Sequence, residues 1–168
     1  MTRCGECGFV YDDLDTGAVG GIIRSVPQMY RQLLDRVDVD LASARPAPAV
    51  WSALEYTCHV RDVLFVQRER AVVALFEWCP SFARMYRDER VATCGYLSHP
   101  LPTVLDQLAV AAELCATVFD SLSEGAWRRP LEYNWPSEGP QDMAWLGRHT
   151  VHECEHHRLD IGHLLGQP

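Results

Sequence analysis

Four long stretches of this chain repeat apolar residues at helical spacing, and long, proline-containing connections separate them. That pattern restricts the fold more than any other feature. The first stretch covers about residues 18–37, where Ile22, Val26, Met29, Tyr30, Leu33 and Leu34 recur on one face. Pro27 lies inside it, which predicts a helix starting near Ser25, with Ser25 as cap and Pro27 in the first turn. The second stretch runs about 49–76 and draws its apolar face from Trp51, Leu54, Cys58, Val63, Phe65, Val66 and Val73. The third covers about 101–122 and the fourth about 141–165. VDVDLASARPAPA breaks the pattern after the first helix. WCPSFARMYRDERVATCGYLSHP reads as a connection with a short helical turn. SEGAWRRPLEYNWPSEGPQ reads as an ordered loop with a short hairpin. The expectation is all-α: a four-helix bundle with at least one crossover connection and little β structure, formed as a single domain over 1–168. A Cys-x-x-Cys segment, about 1–15, precedes the bundle.

Charge narrows the partners. The formal net charge is −8, and the sequence contains no lysine. Such a chain lacks the basic footprint that nucleic acid or an anionic membrane requires, so neither is expected as a partner. The first residues, MTRCGECGFVYDDL, have no apolar signal-peptide core. No uninterrupted apolar run reaches the length of a membrane span. A cytoplasmic location is therefore expected. The seven cysteines form no secreted disulfide framework and read as free thiols. Cys58, Cys115 and Cys154 fall in apolar helical patterns and are expected in the core.

The fourth helix carries HTVHECEHHRLDIGH, residues 149–163. On a helical wheel His149, His152, His156 and His163 fall within roughly 60° of one another, and His157 points elsewhere. His152 and His156, four residues apart, can chelate one ion from one face. The literal H-E-x-x-H invites a zinc-protease reading, but the third ligand such enzymes need is missing. Leu159 stands where the longer motif requires Gly, and Gly162 where it requires His. Glu153 is also expected about 100° away from the ligand face. A third ligand must come from another helix, and His59 is the best placed; His99 precedes a proline in a loop and is poorer. Two helices would then supply three imidazoles across a bundle core.

WSALEYTCHVRDVL, followed near the C-terminus by HECEHHRLDI, resembles the DinB/YfiT-like superfamily. The resemblance runs from Cys4 to Asp160 and is nearest to an actinobacterial subset that often opens with a C-x-x-C-G-F segment, as CGECGF does here. It implies a four-helix bundle holding a divalent metal, zinc first and nickel second, on His59, His152 and His156. In mycothiol-dependent maleylpyruvate isomerases, which share the fold, Glu replaces the position of His152, so the resemblance implies an all-histidine triad here. Characterised relatives include mycothiol and bacillithiol S-transferases. The implied function is a metal-dependent S-transferase or isomerase that uses a low-molecular-weight thiol such as mycothiol and an electrophilic small molecule. A non-catalytic metal-binding or redox-responsive protein and a metal-dependent hydrolase are the alternatives.

Around this site Asp62 and Asp160 are expected to orient imidazoles. Glu55, four residues before His59, is a candidate acid–base group. Arg61 and Arg148 are read as surface residues that could alternatively meet an anionic substrate. Trp51, Trp127, Trp135 and Trp145 are read as packing residues. Cys4 and Cys7 are half of a zinc knuckle and leave several readings open: a metal site with borrowed ligands, a redox pair, soft ligands beside the triad, or no special role in a terminal segment. The sequence also leaves room for a homodimer.

Overall fold

The computed structural model describes residues 3–134 and 139–167. Trp135 lies outside the described residues. Among the described residues, seven α-helices follow in chain order: α1 (Val19–Leu33), α2 (Val39–Ser43), α3 (Ala53–Phe76), α4 (Arg87–Thr93), α5 (Leu101–Asp120), α6 (Glu124–Trp127) and α7 (Met143–Leu164). The four long ones correspond to the four periodic stretches. Helix α1 packs against α5 and α7, and α3 packs against the same two. Helices α1 and α3, successive long helices in the chain, therefore lie across the bundle from each other, as do α5 and α7. Two connections must cross, which explains their length.

Local sequence sets each helix start. Ser52 caps α3 in a full capping box: its hydroxyl accepts the Glu55 N–H, and the Glu55 carboxylate accepts the Ser52 N–H at 2.8 Å. Asp142 caps α7 by accepting the Trp145 N–H at 2.7 Å. Helix α5 follows Pro100 and has a second proline in its first turn. It is long and apolar enough to cross a membrane by length and composition alone. Its buried face, including Val104, Leu108, Ala111, Cys115 and Phe119, packs in the bundle.

Helix α1 differs from expectation. It begins at Val19, and Pro27 is buried inside it. Ser25 does not cap; its hydroxyl donates to the Ile22 carbonyl at 2.7 Å. Proline inside a helix costs about 3 kcal/mol. Fully burying Val19 and Ile23, both 0% exposed, offsets that, since each contributes about 1.5–3 kcal/mol.

Among the described residues, three short strands make one sheet: β1 (Ser81–Phe82), β2 (Pro130–Tyr133) and β3 (Pro140–Asp142). β2 is central, parallel to β1 and antiparallel to β3, with Ser81 opposite Glu132 and Leu131 opposite Gln141. The hairpin is the expected one; β1 extends it. The sheet brings Tyr133 to α3, where its hydroxyl accepts from Gln67 Nε2 at 2.9 Å. Trp127 of α6 stacks on Phe119 and lies against Gly147 of α7, where a Cβ would come within 3.0 Å of the indole.

The N-terminal segment folds back on itself before α1. The Cys4 N–H donates to the Phe9 carbonyl at 2.8 Å, and the Gly8 N–H donates to the Cys4 carbonyl at 3.1 Å. Gly8 has φ +76°, a left-handed conformation that glycine adopts without a Cβ clash. Tyr11 is buried against α7, and the Arg148 guanidinium donates to the Leu14 carbonyl at 2.9 Å.

Candidate metal centre

Four overlapping groups of metal-ligating side chains occur among the described residues, each with all its ligand atoms within 4.8 Å of one another. One joins His59, Glu153 and His157; another joins Cys4, Cys7, His152 and His156. The others are His149–His152–Glu153 and His156–His157–Asp160. The histidines expected to share one ion are thus divided. His59, from α3, meets the pair Glu153 and His157 of α7, one position along from the expected pair His152 and His156. Glu153, expected to point away, is in the middle of the site.

The reason is the rotation of α7. Met143, Leu146, Thr150, Cys154 and Ile161 are all buried and recur at three-, four- and seven-residue intervals. They turn the helix so that His157, 6% exposed, faces the bundle, while His163 is exposed. Met143, Leu146 and Ile161 were visible in the sequence as an apolar stripe, and a wheel centred on them rather than on the histidines places His157 nearer the core than His152.

His59 is 2% exposed, and neither of its ring nitrogens has a hydrogen-bond partner among the described residues. Leaving a buried polar group unpaired costs about 1–3 kcal/mol. A cation shared with Glu153 and His157 would satisfy it, so the residues present fit a metal. The His59 ring lies edge-on to Trp51 and His157, with centroids 5.0 and 4.9 Å away. His157 Nδ1 lies 2.8 Å from Asp160 Oδ2, a contact in which Nδ1–H donates to the carboxylate, and Nε2, 3.8 Å from Glu153 Oε2, is the ring nitrogen turned toward the group.

Asp160 thus orients an imidazole as expected, that of His157; its distance to His156 Nε2 is 3.7 Å. Asp62 does not serve His59. It accepts from the Tyr96 hydroxyl at 2.7 Å and pairs with Arg61 and Arg90. Glu55 is also committed elsewhere, to its capping box and to Arg45 through two hydrogen bonds of 2.8 and 2.6 Å. Those partners hold its carboxyl below the usual value against the effect of burial.

Charge is concentrated around Glu153. Burial alone would raise its pKa, but the imidazoles of His149, His152, His157 and His59 hold it far below the ordinary carboxylate range. Burial pushes His59 down to about 3 and His149 down to about 4, so both are neutral and able to donate a lone pair at neutral pH. The Tyr11 hydroxyl lies 3.0 Å from His149 Nδ1. Burial opposes ionisation of Cys4, but the backbone N–H groups of Cys7 and Glu6, together with His152, lower its pKa to about 6.

The groups face a cavity of about 540 Å³. Its wall includes Arg70, Arg84, Arg87 and Tyr133, none of which stands out in the sequence. Arg70, 8% exposed, donates to the Tyr133 hydroxyl, to Gln67 Oε1 at 3.2 Å and to the Ala83 carbonyl, all neutral acceptors. Its charge is therefore available to the cavity. Arg61 and Arg148 do not line it; Arg61 pairs with Asp62 and Gln107.

The sequence profile of the DinB superfamily matches residues 22–161. A solved structure, described as "YfiT from Bacillus subtilis is a probable metal-dependent hydrolase with an unusual four-helix bundle topology", is similar to this fold. It superposes with a TM-score of 0.77 at 12% sequence identity, covering 91% of this chain and 89% of that one. No curated protein matches the chain.

Proposed function

The chain belongs to the DinB superfamily, and from that premise we propose a metal-dependent S-transferase or isomerase that uses a low-molecular-weight thiol such as mycothiol. The observation that carries this reading is the His59–Glu153–His157 group on the wall of a cavity lined by arginines. One histidine from the second long helix, with a Glu and a His from the fourth, is the ligand composition expected of mycothiol-dependent maleylpyruvate isomerases. A divalent ion held there, zinc first and nickel second, would keep a position open and favour the thiolate form of a bound thiol.

The remaining work falls to the chain's own side chains. Asp160 fixes the His157 tautomer. Trp51 packs beside His59 and limits its rotation. Arg70 offers its guanidinium to a carboxylate on the thiol or on the electrophile. The cavity of about 540 Å³ is within the range that holds a small ligand against a second reactant. No protein nucleophile is needed once both are positioned. The seven free cysteines support a reducing, cytoplasmic setting.

The test is adduct formation by the zinc-loaded protein across a panel of small electrophiles, with and without thiol. Turnover that requires both metal and thiol is expected. Metal-dependent cleavage of esters or amides with no thiol present would overturn this reading in favour of a hydrolase.

A further inference from the structure

We propose that Cys4, Cys7, His152 and His156 form a second metal site, a closed four-ligand centre that takes zinc and fastens the N-terminal segment to α7. All four ligand atoms lie within 4.8 Å of one another, and Cys4 Sγ is 3.7 Å from His156 Nδ1. A tetrahedral zinc with ordinary Zn–S and Zn–N bonds separates sulfur from nitrogen by about 3.6 Å. The fold brings these atoms together across almost the whole chain, since Cys4 and His156 are 152 positions apart.

Two further observations point to a ligand. His152 is 7% exposed, and both its ring nitrogens are buried; Nδ1 lies 3.3 Å from Glu153 Oε1, and neither nitrogen makes a hydrogen bond among the described residues. The backbone of the Cys4–Phe9 turn is already wound as a chelating loop. The Cys4 carbonyl accepts the Gly8 N–H, and Gly8 takes the positive φ that lets the chain reverse behind the second cysteine. A disulfide between Cys4 and Cys7 would explain neither the buried His152 ring nitrogens that make no hydrogen bond nor the approach of His156 to Cys4.

This site shares no residue with the His59 group, and its chemistry differs. Two thiolates neutralise a divalent ion, and four protein ligands leave no open position, which suits structure rather than catalysis. Its consequence is positional. Cys4, Gly5, Glu6 and Tyr11 all line the cavity, so the ion would hold one wall of it in place.

The experiment counts metal ions on the full chain and replaces zinc with cobalt(II). Wild type should bind two ions and show intense thiolate-to-cobalt charge-transfer absorption. The double variant Cys4→Ser/Cys7→Ser should keep one ion and lose that absorption. His157→Ala should keep one ion and retain it, with X-ray absorption of its zinc form showing two sulfurs at about 2.3 Å. One ion in wild type with the thiolate absorption would support this site and count against a metal on His59. One ion without it would overturn this proposal and leave the other standing. Alkylation of wild type covers the event that the double variant does not fold. Cys4 and Cys7 should react at least about tenfold faster after chelation, and equal rates would overturn the site.

Discussion

Asp160 reaches around one turn of α7 to His157, and that contact makes residue-level predictions sharp. Asp160→Asn should weaken metal binding at the His59 group by about 10–100-fold, read by competition with a chromogenic chelator. Asp62→Asn should leave it unchanged, because Asp62 holds Tyr96 and Arg61 instead. Glu153→Gln, which alters a proposed ligand rather than its support, should cost more than about 100-fold at that group, measured in the Cys4→Ser/Cys7→Ser background so that only the His59 group is read; retained affinity there would overturn the assignment of Glu153 as a ligand. His149 makes a prediction about acid. Burial pushes it down to about 4 from an ordinary 6.5, so between those values the unfolded chain binds a proton that the folded chain refuses. Its contribution to stability is complete above pH 6.5 and is lost as pH falls toward 4. Urea denaturation of metal-free protein should show a loss of about 1 kcal/mol from this group between pH 7 and 5.5. His149→Gln should flatten the slope, and parallel pH profiles for variant and wild type would rule this out.

At the scale of elements, the start of α3 separates stability from function. Glu55 sits four residues before His59, yet it serves Ser52 and Arg45. Ser52→Ala and Glu55→Gln should each cost about 1–2 kcal/mol of stability and leave metal affinity within about twofold. A large loss of affinity at unchanged stability would restore Glu55 to the site. The four long helices were legible because apolar periodicity over fifteen or more residues is a strong signal. The start of α1 was not, because Pro27 locally contradicts a helix that tertiary burial sustains. Strand β1, two residues long, carries no periodicity at all; it exists only because β2 lies beside it. The candidate site was partly legible. That a histidine of α3 would meet an imidazole of α7 could be anticipated from the sequence. Which pair of α7 comes beside His59, 152/156 or 153/157, depends on the rotation of α7, which follows the buried stripe from Met143 to Ile161 rather than the histidines.

For the whole molecule, the core of the bundle should outlast its ions. Val19, Ile23, Leu64, Leu108, Leu146 and Ile161 are all 0% exposed without help from any metal ligand, unlike a zinc finger, whose core is too small to stand alone. Chelation should therefore leave far-UV circular dichroism almost unchanged; collapse of helicity would contradict this. The diagonal placement of α1 and α3 has another consequence, for the order in which the chain assembles. Helix α1 is made first but packs against α5 and α7, both far along the sequence. It leaves the ribosome with its apolar face exposed, and closing those distant contacts is slow. Helices α3 and α5 are successive long helices and do pack together, so they can dock while α7 is still being synthesised. Pulsed hydrogen exchange during refolding should find α3 and α5 protected before α1, with the earliest-made helix the last but one to settle and α7 closing the bundle over it.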